Sequence, residues 1–413
     1  MKKGGYVFRK MTVRDVPLDG QTVLVRADYN LPMDANGEIE DDFRVRASVP
    51  TLRYLLERRC KVVIISHLGR PDGKKDMKYT LEPAAQRLAE LAKAPVRFVA
   101  DCIGDRARMA VKQSPASSLT VLENLRFYPG EEANDREFAK KLVEASGARY
   151  FIQDGFGVVH RAHASTAAIT EFLPSVAGLL LEREVSTIMG AMEHPVRPLV
   201  AVLGGAKVSD KIGVIDAFVK RADQILIGGA MANTFLAANG LSVGASKVET
   251  EDFGIIEKIY GDVRDKVGKK KVDEFLYLPT DVAVAPSLDA TERKVVDTAA
   301  IAPNDMALDV GDTTIEAYTD VIKKAGTVVW NGTLGYAENP MFAHGSARVA
   351  LALATEQSTE SIIGGGDTAD FVLKWDARGG DSFTHVSTGG GASLELMAGE
   401  PLPGVEALLD AKR

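Results

Sequence analysis

Leu199-Val200-Ala201-Val202-Leu203-Gly204-Gly205-Ala206-Lys207 is a five-residue apolar run that closes on two glycines and a lysine. A run this short and this uniformly apolar reads as a strand buried on both faces, the kind found in parallel sheets. Glycines where such a strand feeds a helix expose backbone N–H groups and a helix N-terminus, which together favour a phosphate group. The pattern recurs. Gly228-Gly229-Ala230 closes a run at 224–228, Asn331-Gly332 one at 327–331, Gly364-Gly365-Gly366-Asp367 one at 361–364, and Gly389-Gly390-Gly391 one at 384–387. Five such clusters between residues 196 and 395 read as a nucleotide-phosphate site along one edge of a parallel sheet.

Outward from this stretch, short apolar runs alternate with helical patterns over most of the chain, as in repeated βαβ units. Upstream, the reading gives strands at 22–26, 61–67, 118–124 and 150–154. A helix over 43–59 follows the first of them and carries Val45, Val49, Leu52, Leu55 and Leu56 at helical spacing. Another is expected from Asn134, as its N-cap, to Ser146. A mostly apolar helix over 174–193 ends at His194-Pro195-Val196-Arg197-Pro198, where prolines stop it. Downstream, a further strand is read at 274–279. The expected fold class is α/β, with two doubly wound parallel-sheet (Rossmann-like) domains joined by a hinge helix. The boundaries are 1–173, a hinge helix at 174–195, 196–395, and a tail at 396–413 whose short apolar helix packs back on the first domain.

Composition narrows the function classes. The 413 residues are 46% hydrophobic and 26% charged, ordinary for a soluble globular protein. No apolar run reaches the roughly 18 residues of a membrane span, and Met1-Lys2-Lys3-Gly4-Gly5 lacks a secretory apolar stretch. A cytoplasmic location is expected. Cys60 and Cys102 make neither a disulfide framework nor a metal cluster, and no His/Cys zinc spacing occurs. The net charge of −7 argues against a sequence-independent nucleic-acid binder. It is unevenly spread: residues 1–190 carry 29 Lys+Arg against 25 Asp+Glu, leaving 21 and 32 for residues 191–413. A basic half suits an anion, although scattered solvated charge gives the same counts.

Basic and polar residues recur where the first-half strands end. Arg26-Ala27-Asp28-Tyr29-Asn30, Ser66-His67-Leu68-Gly69-Arg70-Pro71, Glu123-Asn124-Leu125-Arg126 and Asp154-Gly155-Phe156-Gly157 with His160-Arg161-Ala162-His163 close four successive strands. Ligands of open α/β sheets sit outside the carboxyl ends of the strands, so Arg70, Arg126 and Arg161 are expected to converge. Arg44 joins them if its helix points its first turn the same way. Such a cluster reads as a site for a small, multiply anionic ligand. In the second half, Lys207 and Lys211 are four apart, so on a helix they share a face directed at a polyphosphate. Neither a Walker A loop nor a G-x-G-x-x-G fingerprint is present. Asp367, opening a helix after three glycines, is a candidate for Mg²⁺ riding on phosphate and equally for a helix cap. Glu338 suits ribose hydroxyls or is a surface carboxylate.

Taken together and in order, these motifs, with Leu122-Glu123-Asn124-Leu125-Arg126-Phe127 and Ser387-Thr388-Gly389-Gly390-Gly391-Ala392-Ser393, resemble phosphoglycerate kinase over nearly the whole chain. The resemblance implies a cytoplasmic, monomeric glycolytic transferase whose first domain binds 3-phosphoglycerate and whose second binds Mg-ADP or Mg-ATP, with neither nucleic acid nor membrane as a partner. It implies an acid site of Asp28, Asn30, Arg44, His67, Arg70, Arg126 and Arg161. It further implies a nucleotide site of Gly205, Ala206, Lys207, Lys211, Gly228, Gly229, Leu308, Asn331, Glu338, Gly366, Asp367 and Thr368, with Asp367 on the magnesium. Arg44, Lys207, Gly366 and Gly390 are the catalytic candidates, and Glu184 and His385 are a candidate pair at the hinge. The chain departs from the family pattern at Asp312, Thr333, Tyr336 and Ala337, beside the implied nucleoside pocket. Competing readings are a nicotinamide-dependent dehydrogenase, which needs the missing fingerprint, and a two-domain protein that closes on an anion without chemistry.

Overall fold

The computed structural model describes residues 6–412. Strands β1 (Thr22–Arg26), β2 (Lys61–Ile65), β3 (Val96–Val99), β4 (Ser118–Leu122), β5 (Tyr150–Gln153) and β6 (Ser175–Ala177) form one all-parallel sheet in the order β3-β4-β2-β1-β5-β6. Helices α1 (Phe43–Glu57), α2 (Glu82–Ala92), α3 (Gly104–Gln113) and α4 (Arg136–Ser146) connect them. The sheet's two faces carry separate apolar cores. Val23, Val25, Val62 and Ile64 pack with Leu52 and Leu88 on one side, and Leu24, Val63 and Phe151 pack with Phe138 and Leu142 on the other. Alternate residues of one strand thus feed opposite cores, which is why these strands read as continuous apolar runs.

Helix α5 (Leu179–Glu193) follows, and the division of the chain into two compact units falls within it, between Ser186 and Thr187. Residues 401–412 belong with the first unit: Leu409 N–H donates to Ser175 O (3.0 Å) and Gly404 N–H to Val159 O (2.8 Å).

The second unit holds β7 (Leu199–Leu203), β8 (Gln224–Ile227), β9 (Leu276–Tyr277), β13 (Thr327–Asn331), β14 (Glu360–Gly364) and β15 (His385–Val386) in the parallel order β15-β14-β13-β7-β8-β9. Its helices are α6 (Ile212–Arg221), α7 (Gly229–Ala238), α8 (Phe253–Val267), α9 (Val272–Phe275), α10 (Asp312–Ile322), α11 (His344–Thr355), α12 (Gly366–Trp375) and α13 (Gly390–Ala398), while α14 (Pro403–Glu406) lies in the tail. A small antiparallel sheet of β10 (Asp281–Ala285), β11 (Lys294–Asp297) and β12 (Met306–Val310) completes the unit. Both halves are therefore doubly wound parallel-sheet domains, as expected. In each sheet the winding reverses once, between β1 and β5 and between β7 and β13, and a crevice opens at such a reversal.

Several local expectations fail for physical reasons. The segment read as helical from 174 begins with strand β6, because Pro174 and Gly178 bracket three residues that pair with β5. Asn134 does not cap α4. It lies at φ +52°, and the neighbouring Asp135 accepts the Phe138 N–H (2.7 Å). Of the strand read at 274–279, Glu274 and Phe275 are the end of α9 and two residues form β9. Among the described residues no helix is long and apolar enough to cross a membrane.

Candidate active site

In the first unit the strand-end residues meet at the β1/β5 reversal. The backbones of β1 and β5 approach so closely there that a side chain at Gly155 would press on Ala27 and Asp28. His67, at the end of β2, is 3% exposed. Burial and the charges of Arg26, Arg126, Arg44 and Arg161 hold its pKa well below the ordinary range, so it is neutral. Arg126 feels Arg161 and Arg70 in turn. The convergence expected of Arg70, Arg126 and Arg161 is therefore present, and α1 does bring in Arg44. Arg44 Nη1 donates to Asn30 O (2.6 Å) and lies 3.5 Å from Asp28 Oδ2. The site's polar residues brace one another. Asn30 Oδ1 accepts the Gly69 N–H (2.8 Å), and Asp28 Oδ1 accepts the Asn30 N–H (3.1 Å). Arg126 donates to Gly69 O (2.7 Å) and pairs with Glu132 (2.9 Å), while its Nε is buried without a partner. Arg70 is exposed and Arg161 half-buried, its Nε 3.1 Å from His160 Nε2.

Arg26 escaped the sequence reading as a site residue. It is 1% exposed and donates to Ser165 Oγ (2.8 Å) and to His67 Nδ1 (3.2 Å). The available signal was its place at the end of β1, two residues before Asp28.

In the second unit the first two glycine clusters and Asn331-Gly332 meet at the β7/β13 reversal, but not with free N–H groups. Gly204 N–H donates to Asn331 O (3.0 Å), Gly205 N–H to Thr333 O (2.9 Å), Gly228 N–H to Leu203 O (2.8 Å) and Gly229 N–H to Leu334 O (2.8 Å). A side chain at Gly204 would land on the Thr333 carbonyl, and one at Gly332 on that of Gly204. These glycines let three turns stack backbone on backbone. The donors suited to an anion lie instead at the starts of α12 and α13. Gly366 and Gly390 are first residues of their helices, so the helices cannot use their N–H groups. The two ends adjoin: a Cβ on Gly390 would sit 2.7 Å from the Gly366 nitrogen.

Lys207 and Lys211 do not share a helix face. Lys207 is exposed in a turn, and α6 starts only at Ile212, after a single 3-10 turn at Ser209–Lys211. Lys211 is buried, donates to Asn331 Oδ1 and is pushed down to about 8 by burial, opposed by Asp367 and Asp210. Thr368 is buried and accepts the Gly332 N–H (2.6 Å). Beside these groups opens a cavity of about 450 Å³, the size of small-molecule pockets. Gly205, Ala206, Leu308, Glu338 and Asp367 line it as expected. Asn233, Lys247 and Leu288 were missed, along with Met306 of the antiparallel sheet. Of the departures from the family pattern, Thr333 and Tyr336 line the cavity, and Asp312, opening α10, pairs with Arg293 (3.3 Å).

A family model described as phosphoglycerate kinase matches residues 13–400. The chain belongs to the phosphoglycerate kinase family. Its similarity to phosphoglycerate kinase of Pelotomaculum thermopropionicum is 45% identity over 402 residues, 97% of this chain and 99% of that one. With that of Chloroflexus aggregans it is 45% over 410 residues, 98% and 100%. Among solved structures, phosphoglycerate kinase from Coxiella burnetii superposes with a TM-score of 0.81 at 35% identity, covering 96% of this chain and 98% of that one. The crystal structure from Pyrococcus horikoshii OT3 gives 0.81 at 33%, with the same coverage. Phosphoglycerate kinases are phosphotransferases with a carboxyl acceptor, and this chain is one by family.

Proposed function

We infer that the chain moves a phosphoryl group between the carboxyl of 3-phosphoglycerate and ADP, with the acid held in the first unit and the nucleotide in the second. The observation that carries this is the pairing of two switch-point sites of complementary kind. Four arginines gather at one, and a cavity lined by Lys247 and by Asp367, from the first turn of α12, lies at the other. Arg70, Arg126 and Arg161 hold the acid's anionic groups, with His67, Asn30 and Asp28 around them. The cavity takes the nucleoside, with Leu308 against the base and Glu338 at the ribose.

Asp367 lines the cavity and lies within electrostatic reach of Lys211, and no group of three or more metal-ligating side chains exists among the described residues. That donor set fits Mg²⁺, which binds through one or two carboxylates plus substrate phosphates. Bound there, the ion neutralises charge on the nucleotide phosphates.

In the direction of ATP formation the bond from the acyl oxygen to phosphorus breaks as a bond from an ADP β-phosphate oxygen to the same phosphorus forms. In reverse the attacking carboxylate is already ionised at neutral pH, so no general base is needed. What the chain supplies is alignment and charge. Arg44 from one unit and Lys207 from the other neutralise the in-flight group, and the Gly366 and Gly390 N–H groups donate to its oxygens. Transfer in line, with water excluded, requires the units to close, and α5 and the segment at 385–391 are the proposed hinges. A soluble, cytoplasmic monomer is the proposed state.

ATP formation from 1,3-bisphosphoglycerate and Mg-ADP in a coupled assay tests the reaction, and its absence overturns it. Small-angle scattering with both substrates should give a smaller radius than either alone; an unchanged radius counts against closure.

A further inference from the structure

Beneath the acid site runs a continuous buried chain of hydrogen bonds that ends on His67, one of that site's residues. Glu131 is fully buried; its Oε1 accepts the Ser165 hydroxyl (2.6 Å) and its Oε2 the Ser165 N–H (3.1 Å). Ser165 Oγ, also fully buried, accepts from Arg26 Nε (2.8 Å). Arg26 Nη2 in turn reaches His67 Nδ1 (3.2 Å) and lies 3.8 Å from Glu131 Oε1. His163 Nδ1 is 3.9 Å from the same carboxylate oxygen.

The direction of every bond in this chain is fixed. A guanidinium has no lone pair to offer, so Arg26 donates at both ends. Its bond to His67 makes Nδ1 an acceptor, and the imidazole hydrogen is left on Nε2. Ser165 receives from Arg26 and therefore gives its hydroxyl hydrogen to Glu131. Both Glu131 oxygens accept, which is the arrangement of a carboxylate. Its charge offsets Arg26, as Glu132 offsets Arg126 and Asp28 offsets Arg44.

We propose that Glu131 is a positioning residue for the acid site: acting through Ser165 and Arg26, it locks His67 as a neutral Nε2–H donor facing the anionic ligand. This rests on the acid-site reading above, but the tautomer is a property of the free enzyme and is tested without substrate.

The test is a long-range ¹H–¹⁵N correlation spectrum of the full-length enzyme, uniformly ¹⁵N-labelled and ligand-free near neutral pH. The chain has six histidines, and His67 is assigned by the signals lost in His67→Gln. The expected result is a His67 with an acceptor-type Nδ1 and a protonated Nε2. Protonation at Nδ1, or a doubly protonated ring, overturns the proposal. Ser165→Ala and Glu131→Gln should shift the Nδ1 resonance and mix the tautomers. They should raise the KM for 3-phosphoglycerate by about fivefold or more, with the nucleotide KM and saturated kcat within about twofold. An unshifted His67 in Ser165→Ala overturns the role of the chain even if Glu131→Gln fails to fold. A wild-type tautomer as expected in a protein that does not bind 3-phosphoglycerate would overturn the acid-site reading alone.

Discussion

Lys211 donates its ammonium hydrogen to the Oδ1 of Asn331, tying the start of α6 to the end of β13 across the switch point of the second sheet. The Asn331 Nδ2 is buried without a partner, and it lies where a side chain on Gly365 would press. Asn331 thus holds the lysine through its amide oxygen, while its amide nitrogen packs unpaired against the turn before α12.

Because burial pushes Lys211 down to about 8, the free enzyme loses this positive charge within reach of the assay. Nucleotide phosphates favour the protonated form. Below about pH 8 the lysine is charged both free and bound, and affinity is level. Above it, binding must take up a proton, and Mg-ADP affinity should fall by up to roughly tenfold per pH unit. Calorimetry from pH 7 to about 9.5 in two buffers of different ionisation heat measures both the fall and the proton. A level affinity over that range contradicts Lys211 as a phosphate contact.

Gly390→Ala should damage transfer and folding together. Gly390 is not at positive φ, so its own backbone accepts alanine, but the new methyl would fall 2.7 Å from the Gly366 nitrogen, closer than a Cβ can approach backbone, so the starts of α12 and α13 must move apart. The expected outcome is a loss of kcat of about 100-fold, on the order of losing one oxyanion donor, with a clearly lowered Tm. A variant with native kcat shows that the Gly366 N–H does not face the transferred group.

Asp154, at the end of β5, gives a stability prediction with a definite sign. Its Oδ1 accepts the Thr51 hydroxyl (3.0 Å) and the Leu180 N–H (3.0 Å) at the start of α5, while Oδ2 is buried without a partner. Burial pushes this carboxyl up to about 7. In the unfolded chain it ionises near 4, so between those values the folded state holds a proton that the unfolded state has released. Stability from this group is full below about pH 4 and is lost as pH rises towards about 7. Asp154→Asn keeps the acceptor oxygen and cannot ionise, so the difference in Tm between variant and wild type should grow in the variant's favour over that range. A constant difference contradicts the buried, protonated reading of Asp154.

Both parallel sheets were legible because their central strands are buried on both faces and end in glycine or site residues, as at Leu199–Leu203 and Lys61–Ile65. The elements missed lacked that signature. Arg97 stands exposed in β3, an edge strand, and β6 is three residues long and merges with the apolar periodicity of α5. In β11, Lys294–Asp297 is mostly exposed and gave no apolar run, and the short run at 282–285 of β10 was overlooked, so the antiparallel sheet carrying Met306 and Leu308 was missed. For the site, the strand-end arginines were readable from the rule that ligands sit at carboxyl ends. The roles of the glycines at 204 and 332 were not, since contacts between turns more than a hundred residues apart leave no local trace. Nor was Arg26, whose burial depends on Glu131 and Ser165.

The central claim is that one cation from each unit neutralises the moving phosphoryl group: Arg44 from the helix after β1 and Lys207 from the turn after β7. Rapid-quench measurement of the transfer step, with both substrates saturating, compares the wild type with Arg44→Ala and Lys207→Ala. Each variant is expected to transfer more than about tenfold more slowly while its affinity for nucleotide stays near the wild-type value. Transfer at the wild-type rate in either variant would contradict the account for that residue.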